Sequence, residues 1–314
     1  MKNVAVADNL HLKKAKQRNA KKLVLYILPG LLLLFVFQYL PLWGLSFAFV
    51  SYKPGKSVFE SDFVGLKNFT VLFSNPVIRK NVFRSVGNTL GIQFLGYLLY
   101  PLPMIFAIFL NELSSKRFKK VVQTVSTLPH FISWMIIFAM ACSLFSNSGA
   151  VNTILLKLGL IKEPINILTT DKNVWWIQVL LGKWKSLGWS AIVYFAAISG
   201  IDQELYEAAM VDGAGRLRRI WHITVPHLMP TFFVLFVISI GNMLSTGIDQ
   251  YFVFANAMNK EAIETFDFYV YNLGIGSGKI SYGVAVGLLK SVIALIMFSL
   301  ANFASKKIRG TGIA

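Results

Sequence analysis

Residues able to do covalent chemistry are few in this sequence, and their spacing assembles no catalyst. The run Gly276-Ser277-Gly278-Lys279 has the outline of a phosphate-binding loop. Leu273 stands where the first glycine of that loop belongs, and Ile280 where Ser or Thr must hold magnesium, so the run predicts a flexible turn. His11, His130, His222 and His227 have no carboxylate partner at zinc-like spacing. The single cysteine, Cys142, excludes an internal disulfide framework and any multi-cysteine metal site. No G-x-S-x-G nucleophile elbow appears. The chain is therefore expected to be non-catalytic, with no metal site and no cofactor of its own.

What chemistry is left is non-covalent. Gln178, Gly182, Lys185 and Trp189 follow at intervals that share one helical face, as do Ser239, Asn242, Thr246 and Asp249. Sugars offer hydroxyls and apolar ring faces, so tryptophan beside amide, hydroxyl and charged groups suits them. The same side chains can equally be packing glue between helices, and Lys183 and Lys185 can snorkel toward an interface. Lys185 or Lys290 can pair with Asp249 or with an acidic sugar. The residues alone leave substrate path and helix packing both open.

The elements that must position these groups are membrane helices. Of 314 residues, 55% are hydrophobic and 14% charged, against about 25% charged in a soluble domain. The net charge of +17 does not point to nucleic acid, because the basic residues sit in short blocks between long apolar runs. Six stretches reach the length needed to cross a bilayer: Leu23–Ala48, Val86–Leu110, Val121–Leu144, Val174–Ser199, Thr231–Phe254 and Gly283–Ala304. Pro29, Pro101, Pro103, Pro129 and Gly188 interrupt them, which a bundle tolerates where neighbouring protein satisfies the freed backbone. Alternating ten-residue strands of a β-barrel are not seen.

Lys and Arg set the direction. Residues 1–22 hold Lys2, Lys13, Lys14, Lys16, Arg18, Lys21 and Lys22, and Lys116, Arg117, Lys119 and Lys120 crowd a short second loop. Arg216, Arg218 and Arg219 mark the fourth loop, and Lys306, Lys307 and Arg309 the tail. The longer intervening loops are more dilute. Both termini are thus expected on the cytoplasmic side. The first apolar run is long and ends in no small-x-small cleavage site, so it is expected to be a retained helix rather than a signal peptide.

The fourth loop, from Asp202 to Gly215, carries the most information. Asp202 can cap a short helix with acidic residues in its first turn, Ala208 and Ala209 present a low face, and Gly213 and Gly215 permit a sharp end. A second short helix, from Arg216 to Thr224, is expected to run into Pro226 and Pro230 at the membrane entry. Such a helix–turn–helix, with small residues at its centre, is shaped to dock into another protein's groove.

Glu207-Ala208-Ala209, three residues, Gly213, nine residues, Ile223, one residue and Val225-Pro226 resembles the coupling-loop signature of binding-protein-dependent ABC importer permeases, Val225 replacing the usual Leu. Nearly the whole chain is similar to permeases of complex-carbohydrate importers, relatives of the maltose-importer permeases. Leu28-Pro29-Gly30, Val64 to Phe69, Leu128 to Trp134 and Trp184 to Trp189 carry the likeness.

The resemblance implies an all-α, six-helix polytopic permease with a cytoplasmic coupling helix–turn–helix. It implies a basic cytoplasmic segment over 1–22, one transmembrane domain over 23–305 with the coupling loop at 201–226, and a cytoplasmic tail over 306–314. It further implies a second, different permease chain, two ATPase subunits holding ATP and Mg, an extracellular binding lipoprotein and oligosaccharide cargo in a bacterial plasma membrane. The ATPase-coupling residues are then Glu207, Ala208, Ala209, Asp212, Gly213, Ala214, Gly215 and Pro226. In this family sugar contacts come from the helices flanking the coupling loop, which favours Lys185, Trp189, Ser239 and Asn242, with Gln178 and Thr246 on the same faces. Import of a peptide or other small solute, or an ion-coupled secondary transporter built on Asp249, are the alternatives.

Overall fold

The computed structural model describes residues 22–165, 167–171 and 173–309. The basic amino-terminal segment short of Lys22, His11 with it, and the tail beyond Arg309 lie outside the described residues.

The architecture is helical, and its β content among the described residues is one antiparallel bridge, Val50 to Phe63. The first helix, α1 (Lys22–Phe49), is α-helical at first, widens through a π segment at Phe35–Tyr39 and tightens to a 3-10 helix from Leu40. Its most apolar stretch is not buried against the rest of the chain. Its end is clamped by α2 (Lys67–Ser74): the buried Asn68 amide donates to the Ala48 carbonyl at 2.8 Å and the Val50 carbonyl at 3.0 Å. The Val64 to Phe69 motif is therefore a fastener for α1.

The second expected span begins earlier and is broken. Asn75 caps α3 (Pro76–Leu98) by accepting from Val77 and Ile78 N–H, with Pro76 at the first position where its missing donor is harmless. Pro101 and Pro103 then interrupt the ladder, and α4 (Leu102–Asn111) follows as a separate segment. The third expected span is broken too. After α5 (Lys116–Thr127), Pro129 turns the chain through a 3-10 corner at Leu128–Phe131 before α6 (Trp134–Phe145), which Ser133 caps at Ile136 N–H. A short α7 (Ala150–Lys157) closes this part.

The fourth span agrees with the expected bounds to the residue, as α8 (Val174–Ser199), but Gly188 does not interrupt it. α9 (Gln203–Val211) and α10 (Arg216–Arg219) form the fourth loop. The expected stop at Thr224 does not occur. A π turn at Ile220–Thr224, closed by Val225 N–H on the Ile220 carbonyl, carries α10 directly into α11 (Val225–Gly241). Pro226 sits at the second position of α11 and Pro230 inside it. That helix ends at Gly241 rather than continuing to Phe254, so Ser239, Asn242, Thr246 and Asp249 do not share one helical face. Asp249 instead opens a new helix, α12 (Asp249–Phe254), followed by the short α13 (Lys260–Ile263) and α14 (Phe266–Tyr271). The Gly276 to Lys279 run closes a π turn in which Ser277 N–H reaches the Asn272 carbonyl and Lys279 N–H the Leu273 carbonyl. Last, α15 (Ile280–Arg309) extends through the first four residues of the expected tail.

Among the described residues, five helices are long and apolar enough to cross a membrane: Lys22–Phe49, Pro76–Asn111, Trp134–Lys157, Arg216–Gly241 and Ile280–Lys307. α8 is not among them, because Gln178, Lys183, Lys185 and its tryptophans lower its hydropathy. It is nevertheless the hub of packing. Val174 and Val179 join Ile92 of α3, Ile137 of α6 and Phe254 of α12 in one apolar cluster. Ala191, Tyr194 and Ile198 join Met104 and Ala107 of α4 and Leu228 of α11 in another.

Two networks hold α13 and α14 in place. Arg84 of α3 pairs with Glu261 at 3.1 Å and the buried Glu264 at 2.9 Å, and Asn272 donates to the other Glu264 oxygen. Asp267 accepts from Thr246 and Gly247 N–H and pairs with Lys290 of α15. The cation at Lys290 thus meets Asp267, not Asp249.

Where α8 crosses α5, Gly188 leaves room for bare backbone, and a Cβ there would overlap the Ser126 carbonyl. Gly188→Val should cost about 1–3 kcal/mol of stability, as overpacking does. Gly182→Ala, whose Cβ would meet the Gln250 side chain at 3.6 Å, should be tolerated. Thermal unfolding of the detergent-solubilised protein checks this; equal midpoints for the two variants would contradict the packing account.

Candidate functional site

The two lysines of α8 have different duties. Lys185 Nζ donates to the carbonyls of Pro129 at 3.1 Å, His130 at 2.6 Å and Ile132 at 2.6 Å, which uses all three of its donors. These carbonyls belong to the 3-10 corner at Pro129, where the Pro129 carbonyl also accepts from Ile132 N–H at 3.2 Å. Trp189, one turn further on, lies flat against His130 with ring centroids 4.4 Å apart and planes 2° apart, and meets Phe131 edge-on at 5.7 Å. The motifs Leu128 to Trp134 and Trp184 to Trp189 are therefore two halves of one lock. Lys185, expected as a cargo contact, is bound to main chain.

Trp189 still keeps 46% of its surface free. It lines a cavity of about 530 Å³ between α3, α8 and α11, with Gln93, Tyr97, Tyr100, Ser186, Ser239 and Asn242 among its walls and Lys183 as its cation. Tyr97 OH donates to the Ser239 carbonyl at 2.9 Å, joining α3 to α11 across the cavity wall. Tyr97 and Tyr100 also pack edge-on against Phe236, at 5.5 and 5.1 Å. Asn242, exposed at the end of α11, makes a 3.2 Å contact from its amide to the Ile238 carbonyl.

Of the six residues expected along a substrate path, the cavity gathers Trp189, Ser239 and Asn242. Gln178 is only 2% exposed, its side-chain oxygen and its carbonyl both taken by the Gln250 amide at 2.8 Å. Thr246 sits in the loop held by Asp267. The whole α3 wall was missed from sequence. Its tyrosines lie beside Pro101 and Pro103 in a run that reads as ordinary apolar span.

The fourth loop presents a second, separate surface. Asp202 caps α9 by accepting from Glu204 N–H at 3.0 Å. The far end closes as a Schellman motif: Ala214 N–H reaches the Ala209 carbonyl at 2.8 Å and Gly213 N–H the Met210 carbonyl at 3.1 Å. Gly213 adopts φ +76°, a left-handed backbone that only glycine takes without strain. Asp212 is the helix C-cap, and Gly215 is the N-cap of α10. Glu207, Ala208, Asp212, Gly213 and Gly215 are exposed together, with Ala209 and Ala214 half-buried beneath them. Pro226 lies further along, at the start of α11. Tyr206 OH meets Thr224 Oγ1 at 2.9 Å, a tie that sequence reasoning did not find. Val211, at 89% exposure, and Trp221 leave apolar surface open beside the loop.

His222 and His227 bond to carbonyls one turn back within their own helix. Among the described residues, no three His, Cys, Asp or Glu side chains gather to hold a metal.

Lys185→Met should destabilise the protein by about 2–4 kcal/mol, because several carbonyls lose charge-assisted bonds at once. Asn242→Leu should shift stability by less than about 1 kcal/mol, since its amide bond is solvent-facing. Unfolding midpoints measured side by side would refute these roles if the two variants behaved alike.

A family model described as "Binding-protein-dependent transport system inner membrane component" matches residues 100–310, a stretch that includes α8, the fourth loop and α11. The polygalacturonan/rhamnogalacturonan transport system permease protein YteP of Bacillus subtilis (strain 168) is 40% identical over 295 residues, covering 93% of this chain and 90% of that one. A chain in the crystal structure of a bacterial ABC transporter involved in the import of the acidic polysaccharide alginate superposes with a TM-score of 0.81 at 33% identity, covering 95% of this chain and 99% of that one. The bacterial alginate ABC transporter in complex with alginate pentasaccharide-bound periplasmic protein gives a TM-score of 0.81 at 32% identity, covering 94% and 98% of the two chains. By family match, by identity over nearly its whole length and by fold, this chain belongs to the inner membrane components of binding-protein-dependent transport systems, the multi-pass permease subunits of ABC importers.

Proposed function

We propose that the chain forms half of a transmembrane pathway for oligosaccharides, completed by a second, different permease chain. ATP hydrolysis is supplied by two separate ATPase subunits and cargo by an extracellular binding lipoprotein. α8 serves as the sixth span in spite of its lower hydropathy, because its polar groups face protein rather than lipid. Residues 23–305 act as one transmembrane domain. Residues 1–22, the loop 201–226 and the tail 306–314 lie on the cytoplasmic side, as their basic residues favour. The relatives named for pectic and alginate polysaccharides support a glycan cargo.

The observation that carries this reading is mechanical. One continuous helix, Arg216–Gly241, begins in the exposed fourth loop and ends in the wall of the cavity at Ser239. Its 26 residues span roughly 39 Å, about the thickness of a membrane. ATPase subunits that close on α9 therefore move the cavity wall itself, because the Schellman turn and the Tyr206–Thr224 tie leave little slack between α9 and that helix. A partner that holds the loop differently in its open and closed states biases the cavity between outward and inward access. Trp189, Tyr97 and Tyr100 offer ring faces to a sugar, and Ser239 and Asn242 offer hydrogen bonds, while Lys185 and Gln178 hold the walls.

The test is Gly213→Pro in the assembled transporter. Proline cannot adopt φ near +76° and deletes the Gly213 donor, so docking should be lost while the helices stay folded. Uptake of labelled oligosaccharide into proteoliposomes and binding-protein-stimulated ATP hydrolysis should both fall at least about tenfold, a loss of roughly 1.4 kcal/mol or more in coupling, with membrane insertion unchanged. Normal uptake by this variant would show that the loop does not couple.

A further inference from the structure

Lys183 has no structural duty to match that of Lys185. Two positions apart on a helix is roughly 200° around its axis, so the two lysines leave α8 on nearly opposite sides. Lys185 turns to the carbonyls of the Pro129 corner, and Lys183 turns into the cavity, its Nζ 5.6 Å from the centre of the Tyr100 ring. Among the described residues, the ion pairs belong to Arg84 and Lys290, and no carboxylate lines the cavity. The result is a half-buried cation, midway along a helix at the centre of the bundle, facing an aromatic ring and a set of neutral hydroxyls and amides.

Such a charge is costly where water is scarce unless an anion meets it. The Tyr100 face supplies part of that compensation through its quadrupole. A full partner has to arrive with the cargo. We propose that Lys183 is the specificity-determining residue of the pathway and that it recognises the carboxylate of uronate-bearing oligosaccharides. The inference rests on the cavity being the oligosaccharide path.

The chemistry of the walls fits that class of cargo. A uronate ring carries an apolar face for Trp189, Tyr97 or Tyr100, hydroxyls for Ser239, Ser186 and Asn242, and one negative charge. One ammonium neutralises one carboxylate, whereas a phosphate dianion would keep excess charge in the cavity. Lysine also suits passage better than arginine here. Its compact charge on a flexible stem makes no bidentate clamp, so successive carboxylates can be met and released.

The experiment uses the assembled transporter in detergent without its binding protein, whose own selectivity would otherwise intervene. Equilibrium binding of radiolabelled trigalacturonate is compared with galactotriose, the neutral sugar of the same length, for the wild type, K183Q and K183R. The wild type should prefer the acid about tenfold or more, the weight of one charge-assisted hydrogen bond, and added salt should erode that preference. K183Q should bring the two sugars to within about twofold of each other, chiefly by weakening trigalacturonate binding, and K183R should keep a preference for the acid. Equal wild-type binding of both sugars, or an undiminished preference in K183Q, overturns the role of Lys183 but leaves the oligosaccharide pathway standing. Binding of neither sugar by the wild type overturns the pathway, and this inference with it. Should K183Q fail to assemble, the wild-type comparison of acid and neutral sugar decides alone.

Discussion

A carbonyl freed from a helix inside a membrane has no water to turn to, and this constraint organises the molecule. Pro129 breaks the third span and releases main-chain acceptors in the middle of the bundle. Lys185 answers them with an ammonium that reaches three carbonyls at once. The arrangement satisfies the broken backbone as bundles require. It also fixes the rotation of α8, because the lysine, Gly188 and Trp189 must all meet the same corner. Once α8 is set, Lys183 and Trp189 are aimed into one cavity, and the clusters above and below can pack against α4, α6 and α11.

Cavity and fourth loop are joined by the same logic. α10 and α11 remain one helix across the π turn at Ile220–Thr224, which absorbs the irregularity that precedes Pro226. Beyond Gly241 the chain leaves the helix, and Asp267 holds the departing loop by two backbone N–H groups while Lys290 neutralises it. Arg84 and Glu264 fasten the next segment to α3. The wall formed by Ser239 and Asn242 is thus a helix end steadied from behind, at the far end of the helix that begins in the fourth loop.

Much of this was legible in the residues. Hydropathy found the apolar stretches but not how the expected Thr231–Phe254 span is divided, while the ends of Val174–Ser199 were legible to the residue, although Gly188 does not interrupt it. The local structure of the fourth loop was legible because its signals are local: a capping aspartate, small residues, and a glycine where the left-handed turn falls. The interruptions at Pro101, Pro103 and Pro129 were legible as prolines, but the stop at Gly241 was not, since apolar composition continues through it and only tertiary partners decide whether a helix ends there. The assignment of the lysines failed for the same reason. Lys183 and Lys185 look alike in sequence, and the carbonyls that claim Lys185 lie more than 50 residues away in the chain. Tyr97 and Tyr100 were invisible as site residues because two tyrosines in an apolar span read as packing.

The central claim is that cargo passes between α3, α8 and α11. Its most direct test is photo-crosslinking with an oligosaccharide carrying a photoreactive group, in the transporter trapped by an ATP analogue and loaded binding protein, followed by peptide mapping. Labels should fall on the segments 93–103, 183–194 and 235–245, and excess unlabelled oligosaccharide should remove them. Labels confined to α1, to the outer faces of α6 and α15, or to surfaces that competing sugar does not protect would contradict it.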